Sequence, residues 1–369
     1  MNDGKIIDTV STNLGLLQIT EAASSQTGVV AELLQEAAGW LSEQQIKQWD
    51  RSLFTEQRVA EYFADRKVYV AYINDEPAGM FTLQDEDPAY WKDRNDSSFG
   101  YLHRLTVRRR CSGAGIGEHL LRTAEYIVAE MGKRGLRLDC SSDNPKLNTV
   151  YQKQGFRFMG ISDIGGRFVN LYEKQPQQDT DRDIRFEYML NKDLPLFQQW
   201  AGTPEFQMQW AGSSWDHPLQ LDTLNQYMEN ANNPAVGGKL VYKVLHALSG
   251  DTIGTLSIGI DRRNLSGRIG KVVIGNPEYR GRGCGRSMID EALRIGFEGL
   301  KLHRMTLGVF DFNEPAIRTY ENAGFKREGL MRECARIGNR YWSLIEMGIL
   351  RTEWEERRAA PYLKKSSDL

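Results

Sequence analysis

Asn276-Pro277-Glu278-Tyr279-Arg280-Gly281-Arg282-Gly283-Cys284-Gly285 decides how this chain is read. Val272-Val273-Ile274 before it is strand-like, and Met288, Ile289, Ala292 and Ile295 after it have the spacing of an apolar helix stripe. The segment therefore reads as strand, glycine turn, helix. Backbone N–H groups converge at such a helix start and the helix dipole favours negative charge there, so pyrophosphate is the guest the chemistry suggests. Downstream lie Asn313, Tyr320 and Gly324-Phe325.

The whole pattern occurs twice. The first copy is Leu105-Thr106-Val107, Gly113-Ala114-Gly115-Ile116-Gly117, Asn144, Tyr151 and Gly155-Phe156. Asn to Tyr is seven residues in both (151−144 and 320−313), Tyr to Gly is four in both, and the copies are offset by 324−155 = 169. A repeat of this length is one folded unit used twice. A Rossmann dinucleotide site is set aside, because both loops follow several strands and neither glycine spacing is GxGxxG.

The 369 residues fit two domains, each able to bury its own core. A net charge of −2 with mixed signs gives no basic field for nucleic acid and no polybasic run for an anionic membrane. No stretch reaches the ~18 apolar residues of a membrane span, and no basic-then-apolar leader opens the chain. Cys111, Cys140, Cys284 and Cys334 form no CxxC pair and the five histidines are scattered, so neither a disulfide framework nor a metal site is expected. Free thiols suit a reducing cytoplasm.

Residues 174–183 are polar, carry Pro176 and read as a linker. The expected organisation is a domain over 1–175, a linker over 176–183 and a domain over 184–369. Domain one reads as a strand near Leu14 to Thr20, helices at Val29 to Ala38 and Thr55 to Ala64, a hairpin of Lys67 to Ile73 and Ala78 to Gln84, and a strand Phe99 to Val107 entering the glycine loop. A helix, strand Leu136 to Ser141, helix Pro145 to Gln154 and two strands follow. Domain two repeats this order, with helices around Leu194 to Trp200 and Leu219 to Glu229. The class is α/β in the broad sense, α+β with a mixed central sheet.

On these residues both halves resemble the GNAT superfamily of acyl-CoA-dependent N-acetyltransferases, which implies two such domains in tandem. In that family Q/R-x-x-G-x-G/A wraps the CoA pyrophosphate. Arg280, Gly281, Gly283, Cys284 and Gly285 fit it. The first loop places Ser112 where Gln or Arg is expected, followed by Gly113, Gly115, Ile116 and Gly117; a shifted match uses Arg110, Gly113 and Gly115. The first register is preferred because Gly117 then opens the helix as Gly285 does. Arg108, Arg109 and Arg110 offer further charge to phosphate. The resemblance assigns the strand backbone at Leu105, Val107 and Ile274 to the pantetheine arm, and Asn144 and Asn313 to steering that arm; helix capping is the alternative role of both Asn residues.

Acetyl transfer to an amine needs a neutral nucleophile, a polarised thioester and a proton for the departing thiolate. By resemblance Tyr151 and Tyr320 are the general acids, with core packing as their alternative. Tyr101 and His103 are placed by alternation on one face with Leu105 and Val107, and His103 is a candidate base. Asp311 is the candidate in domain two, where Arg268 and Lys271 occupy the strand. A covalent route through Cys140 or Cys284 has no histidine near in sequence to support it.

The implied function is transfer of an acetyl group from acetyl-CoA, without a metal, to a primary amine by direct attack in a ternary complex. The alternative is a CoA-binding sensor or scaffold in which one domain is inactive. Domain two resembles the RimJ/RimL-type branch, which points to protein N-termini or small amines as acceptors. Trp200, Phe206, Trp210 and Trp215 with Glu205 and Asp216 form either an ammonium site or the core. Oligomeric state is not legible.

Overall fold

The computed structural model describes residues 5–46, 48–176, 183–234 and 238–366. Most of the linker expected at 176–183 lies outside them. Contacts divide the chain into two compact units, Met1–Ser141 with Ser162–Thr180, and Ser142–Ile161 with Asp181–Leu369.

The first copy runs β1 (Lys5–Thr12), β2 (Gly15–Glu21), α1 (Thr27–Glu43), α2 (Glu56–Ala60), α3 (Tyr62–Asp65), β3 (Lys67–Ile73), β4 (Glu76–Gln84), α4 (Pro88–Trp91), β5 (Gly100–Val107), α5 (Ile116–Glu130), β6 (Leu136–Ser141), α6 (Pro145–Lys153), β7 (Arg157–Ile164) and β8 (Arg167–Lys174). Its sheet order is β1-β2-β3-β4-β5-β6-β8-β7. The β3–β4 turn at Asn74-Asp75 has positive φ at both residues, the geometry whose twist matches a tight hairpin. Strand β1 escapes the sequence reading because its charged and hydroxylated residues, such as Asp8 and Ser11, lie at an exposed sheet edge. The helix expected over 55–64 is two short pieces meeting at Glu61.

The second copy runs β9 (Ile184–Tyr188), α7 (Pro195–Ala201), α8 (Pro204–Ala211), α9 (Leu221–Met228), β10 (Lys239–His246), β11 (Thr252–Asp261), β12 (Ser266–Ile274), α10 (Cys284–Arg294), β13 (Arg304–Phe310), α11 (Glu314–Ala323), β14 (Lys326–Ile337), β15 (Arg340–Leu350) and α12 (Arg351–Ser366). Its sheet order is β14-β15-β13-β12-β11-β10-β9. The sequence reading misses α8, which Thr203 caps by accepting the N–H of Phe206. In each copy the central parallel pair, β5–β6 or β12–β13, stands among antiparallel neighbours.

Helix α6 belongs to the first copy in sequence but packs within the second compact unit. Gln152 Oε1 accepts the backbone N–H of Tyr188 at 2.7 Å. Arg157 at the start of β7 meets Glu291 at 2.5 Å, and Arg294 grips the same carboxylate in two contacts of 2.8 and 3.0 Å. Burial alone raises the Glu291 pKa; the charges of Arg294 and Arg157 outweigh it and hold the carboxyl at about 2. The stabilisation from this pairing is therefore complete above the ordinary glutamate pKa of about 4.5 and is lost as pH falls toward 2. Glu291→Gln leaves two guanidinium groups facing each other without their counter-charge. It is expected to destabilise the second unit by about 3 kcal/mol at neutral pH, with the difference from the parent shrinking below pH 4, as measured by denaturant unfolding.

Candidate active site

Each sheet is split at its centre by the same device. On β5 the partners of Thr82 and Met80 are His103 and Thr106, so Arg104 and Leu105 together oppose the single residue Phe81. On β12, Lys271 and Val272 together oppose Leu256. The extra residue is Arg104 at φ 56° in one copy and Lys271 at φ 52° in the other, both in the left-handed region that non-glycine residues seldom occupy. Parallel pairing covers only Gly100–Leu102 against Leu136–Leu138, and Ser266–Arg268 against Arg304–Thr306. Beyond these stretches the strand carrying Leu105 and Val107, or Val272 and Ile274, has no ladder to its parallel neighbour. A linear amide has backbone groups to bind there.

The bulge corrects the alternation read from sequence. Cross-strand partners share a face, so Tyr101 and His103 lie with Thr106, while Val107 lies with Leu102 on the other side. Tyr101 is fully buried, its hydroxyl donating to Asp96 O and accepting from Arg137 and the Asp96 N–H, which makes it part of the core. Asp311 is an exposed loop carboxylate. Arg268 is bound to Glu346 of β15, a carboxylate brought beside β12 from 78 residues away and invisible to local reading.

The two glycine loops repeat at an offset of 168 (281−113 and 283−115). Gly113 and Gly281 have φ of 83° and 72°, Gly115 and Gly283 of 75° and 85°, and the helices begin at the next residue, Ile116 or Cys284. A Cβ at any of the four meets nothing within 4 Å. The glycines are required by φ, and the space over them is open. Gly117 and Gly285 sit over the last strand residue, their ideal Cβ positions 3.8 Å from Val107 and 3.7 Å from Ile274. The first helical bonds are donated by Glu118 to Gly115 O and by Arg286 to Gly283 O, so the N–H groups before them are the ones available to an anion. Open space, free N–H groups and a strand without its neighbour are features that fit a pantetheine-linked pyrophosphate.

The surrounding charge differs between the copies. Arg108 is committed to Glu32 and Glu36 at 2.7 and 2.8 Å, Arg109 stacks over Trp40 at 4.0 Å, and Arg110 pairs with Glu76 at 2.9 Å. These arginines do not stand free for phosphate. In the second loop Arg280 donates to Ile274 O at 3.0 Å and lies over Phe206 at 5.2 Å, Arg282 lies over Tyr279 at 5.8 Å, and among the described residues neither has a carboxylate partner. Tyr279 fastens that loop, its hydroxyl donating to Asp251 at 2.6 Å.

Asn144 and Asn313 cap α6 and α11, their Oδ1 atoms accepting from Leu147 N at 3.0 Å and Ala316 N at 3.3 Å. Tyr151 and Tyr320 stand three-quarters of the way along those helices, and the recurring Tyr-x-x-x-Gly-Phe is a helix stop. Phe156 N donates to Tyr151 O and Phe325 N to Tyr320 O, Gly155 and Gly324 take φ of 88° and 104°, and the rings meet edge-on at 6.1 and 6.3 Å. That is the Schellman arrangement with its apolar contact. Tyr320 is half-buried, and desolvation pushes its phenol up to about 12. Residues Arg280, Gly281, Gly283, Cys284, Gly285, Ile274, Asn313 and Tyr320 all fall within the second unit; in the first copy Leu105, Val107, Ser112, Gly113, Gly115, Ile116 and Gly117 fall in the first unit, and Asn144 and Tyr151 in the second.

The aromatic group of the second copy is largely core. Trp200 and Trp210 are buried, and Trp200 lies on the backbone of Gly275, where a Cβ would approach within 2.1 Å. Phe206 and Trp215 are the partly exposed members; Trp215 is edge-on to Trp210, Phe197 and Tyr227, and its face is taken by Lys271 Nζ at 4.3 Å. That ammonium also donates to Ala211 O and, at 2.8 Å, to Ser214 Oγ; burial lowers its pKa to about 8. Arg104 likewise lies over Trp49 and Phe54 at 5.5 and 5.3 Å, so each bulge is tied by a cation to an aromatic of the helical layer. Cys140 and Cys284 are buried, and burial pushes both thiols up, which gives no thiolate for a covalent route.

Residues 32–156 match the Acetyltransferase (GNAT) family and residues 184–326 match the Acetyltransferase (GNAT) domain. The uncharacterized N-acetyltransferase YesJ of Bacillus subtilis is 32% identical over 164 residues, which is 42% of this chain and 87% of that protein. The chain belongs to the GNAT family of N-acetyltransferases and carries two such domains in tandem. A spermidine N(1)-acetyltransferase of Vibrio cholerae is 37% identical over 81 residues, 22% of this chain and about half (47%) of that protein's length. The solved spermidine N-acetyltransferase from Vibrio cholerae in complex with CoA and spermine has 24% identity and a TM-score of 0.41, covering 47% of this chain and 98% of its own.

Gly283→Val forces a β-branched residue to φ 85° and places a side chain where phosphate would approach backbone. Second-site affinity for CoA is expected to fall at least tenfold in calorimetry while the first site is unchanged; undiminished affinity at the second site would overturn the loop assignment.

Proposed function

We propose that the chain transfers acetyl groups from acetyl-CoA to primary amines at two sites, one in each copy, by direct attack in a ternary complex, with domains over 1–175 and 184–369. The observation that carries this is the coincidence, within the second unit, of a strand freed by the Lys271 bulge, an open glycine-lined helix start, Arg280 and Arg282 without carboxylate partners among the described residues, and Tyr320. The four free cysteines support a reducing compartment, the cytoplasm.

In this reading the N–H groups around Gly281 to Gly285 and Arg280 hold pyrophosphate, and the β12 backbone near Ile274 holds the pantetheine arm beside Asn313. The acceptor amine attacks the thioester carbonyl, the C–N bond forms, the C–S bond breaks, and Tyr320 gives its proton to the departing thiolate. A phenol near 12 stays protonated at every working pH, and the same low-dielectric surroundings that raise it raise the proton affinity of the thiolate. Ser112, Gly113, Gly115, Ile116 and Gly117 and the strand at Leu105 and Val107 have the same donor-binding roles in the first copy. The pairing of Arg108 and Arg110 with glutamates makes it the weaker CoA site.

The acceptor is a small amine or a protein N-terminus, in keeping with a RimJ/RimL-type second domain and with relatives named for spermidine. Lys271 already covers Trp215, so an acceptor with an additional cation gains nothing on that ring.

Calorimetric titration with acetyl-CoA is expected to show two sites, the tighter in the second domain. An acceptor library should then yield CoA release with primary amines; two sites without turnover from any amine would leave a CoA-binding sensor, and no binding would remove both readings. Tyr320→Phe keeps the helix stop and deletes one hydroxyl. Second-site turnover should fall about 10²-fold with CoA affinity unchanged, and acyl donors with better leaving thiols should restore most of it. An equal deficit with every donor would leave Tyr320 a packing residue.

A further inference from the structure

At the apex of the first unit's split, one histidine lies between two carboxylates. His103 and Asp139 are the first residues past the paired stretch ending at Leu102 and Leu138. His103 Nδ1 is 3.4 Å from Asp139 Oδ1, and Nε2 is 3.3 Å from Asp87 Oδ2. Asp87 sits at the N-terminus of α4, where its other oxygen accepts the Tyr90 N–H at 3.2 Å. Nε2 and Asp87 Oδ2 are sealed from solvent, whereas the His103 and Asp139 side chains keep 15% and 17% of their exposure. The cluster is thus sealed on the Asp87 side and keeps residual exposure on the Asp139 side, beside the point where the strands part.

The three residues also have the composition of a metal site, their ligand atoms within 4.8 Å of one another. The ring's orientation argues for protons instead. A single ion uses one imidazole nitrogen, and here the carboxylates face opposite nitrogens whose lone pairs diverge. Two carboxylates on two nitrogens stabilise a ring that gains a proton.

We propose that Asp87, His103 and Asp139 form the proton-accepting site of the first domain, with His103 Nδ1 taking the proton of the acceptor ammonium and the two aspartates positioning the ring. This rests on the reading that the first domain binds acetyl-CoA along β5. Asp87, 3.3 Å away, favours a proton on Nε2, which leaves Nδ1, beside Asp139, as the basic atom. The ammonium gives one proton to Nδ1, the neutral amine adds to the thioester carbonyl, and the thiolate leaves with the C–S electron pair and takes a proton. The new amide nitrogen loses its second proton, so one proton in total passes to water. With both carboxylates ionised the cluster carries two negative charges before accepting the proton and one after, so it also attracts a cationic acceptor.

Burial works against the charged ring, yet Asp139 and Asp87 outweigh it and raise His103 to about 9, close to the range of alkylammonium groups, where proton transfer is nearly balanced. The other groups around it are accounted for. Tyr90, whose ring is 5.9 Å away, accepts from Arg167; Arg137 on β6 is held by Glu173 at 2.8 Å; Thr82 donates to His103 O; and Arg104 is turned to Trp49 and Phe54.

The test uses the full chain carrying both Gly283→Val and Tyr320→Phe, which together suppress donor binding and turnover at the second site so that the first domain is read, with acetyl-CoA and a panel of primary amines between pH 6 and 10. Turnover should rise with pH through about 9. Asp139→Asn should move that limb at least one pH unit lower, and His103→Gln should abolish it with a rate loss of about 10²-fold, acetyl-CoA affinity remaining constant in both. NMR of the His103 ring should show the same downward shift in Asp139→Asn. An unmoved limb and an unmoved resonance, or turnover lost without change of pH profile, would make the cluster structural and overturn the proposal, as would stoichiometric zinc binding that disappears in His103→Gln. Acetyl-CoA binding with no turnover from any amine also overturns it; absence of acetyl-CoA binding at the first loop is the distinct result that removes the reading beneath it.

Discussion

The site geometry depends on one register error in each sheet, two residues standing against one. At Arg104–Leu105 and Lys271–Val272 the strand takes an extra residue, turns it into left-handed backbone, and stops pairing with its parallel neighbour within a few positions. A regular sheet would spend every central N–H and C=O on its own ladder. The bulge instead leaves a strand interior with hydrogen-bonding capacity, at the middle of a rigid layer and directly upstream of a helix N-terminus. Its strain is held by long-range contacts, Arg104 against Trp49 and Phe54, and Lys271 against Trp215 and the carbonyl of Ala211. The helical layer therefore fixes the sheet's defect.

Duplication has kept this scaffold while the chemistry around it has diverged. The loops agree in φ, helix start and the seat of the third glycine, because left-handed backbone and close strand packing leave few alternatives. Charge is under no such constraint. Around the first loop Arg108 and Arg110 are neutralised by glutamates of α1 and β4; in the second, neither Arg280 nor Arg282 has a carboxylate partner among the described residues. The first apex holds a histidine between two aspartates, whereas the second has Gly270 in the position of His103, with Arg268 bound to Glu346 two residues earlier. Two copies of one backbone shape thus carry different electrostatics.

Much of this was legible because repetition and local chemistry are written in the chain. Glycine alternation before an apolar stripe marks both helix starts, Asn before Pro marks the caps, and Leu136–Ser141 and Pro145 mark a strand and a helix start that the structure shows. What escaped depends on partners distant in sequence. Strict alternation grouped His103 with Leu105, since a bulge has no signature of its own in Arg104. Asp87 and Asp139 flank His103 by 16 and 36 residues, a proximity that only strand order creates. The tryptophans of the second copy were readable as an ammonium site or as core, and Lys271, four residues before Gly275, was not readable as the cation that covers Trp215. The recurring Tyr and Gly-Phe were noticed for their spacing, and their helix-stopping hydrogen bonds explain that spacing whatever else the hydroxyl does.

The second compact unit is assembled from two stretches that are not adjacent in the chain, 142–161 and the residues from 181 onward. Severing the polypeptide at the linker would follow the grammar of the repeat but not the grain of the packing. A fragment starting after the linker would carry Glu291 with Arg294 but without Arg157, and Tyr188 with its backbone N–H stripped of Gln152. The boundary of the repeat is therefore not the boundary of the packing, and a protease nick or a recombination event at the linker followed by separation would leave the partners of Gln152 and Arg157 on an orphaned surface.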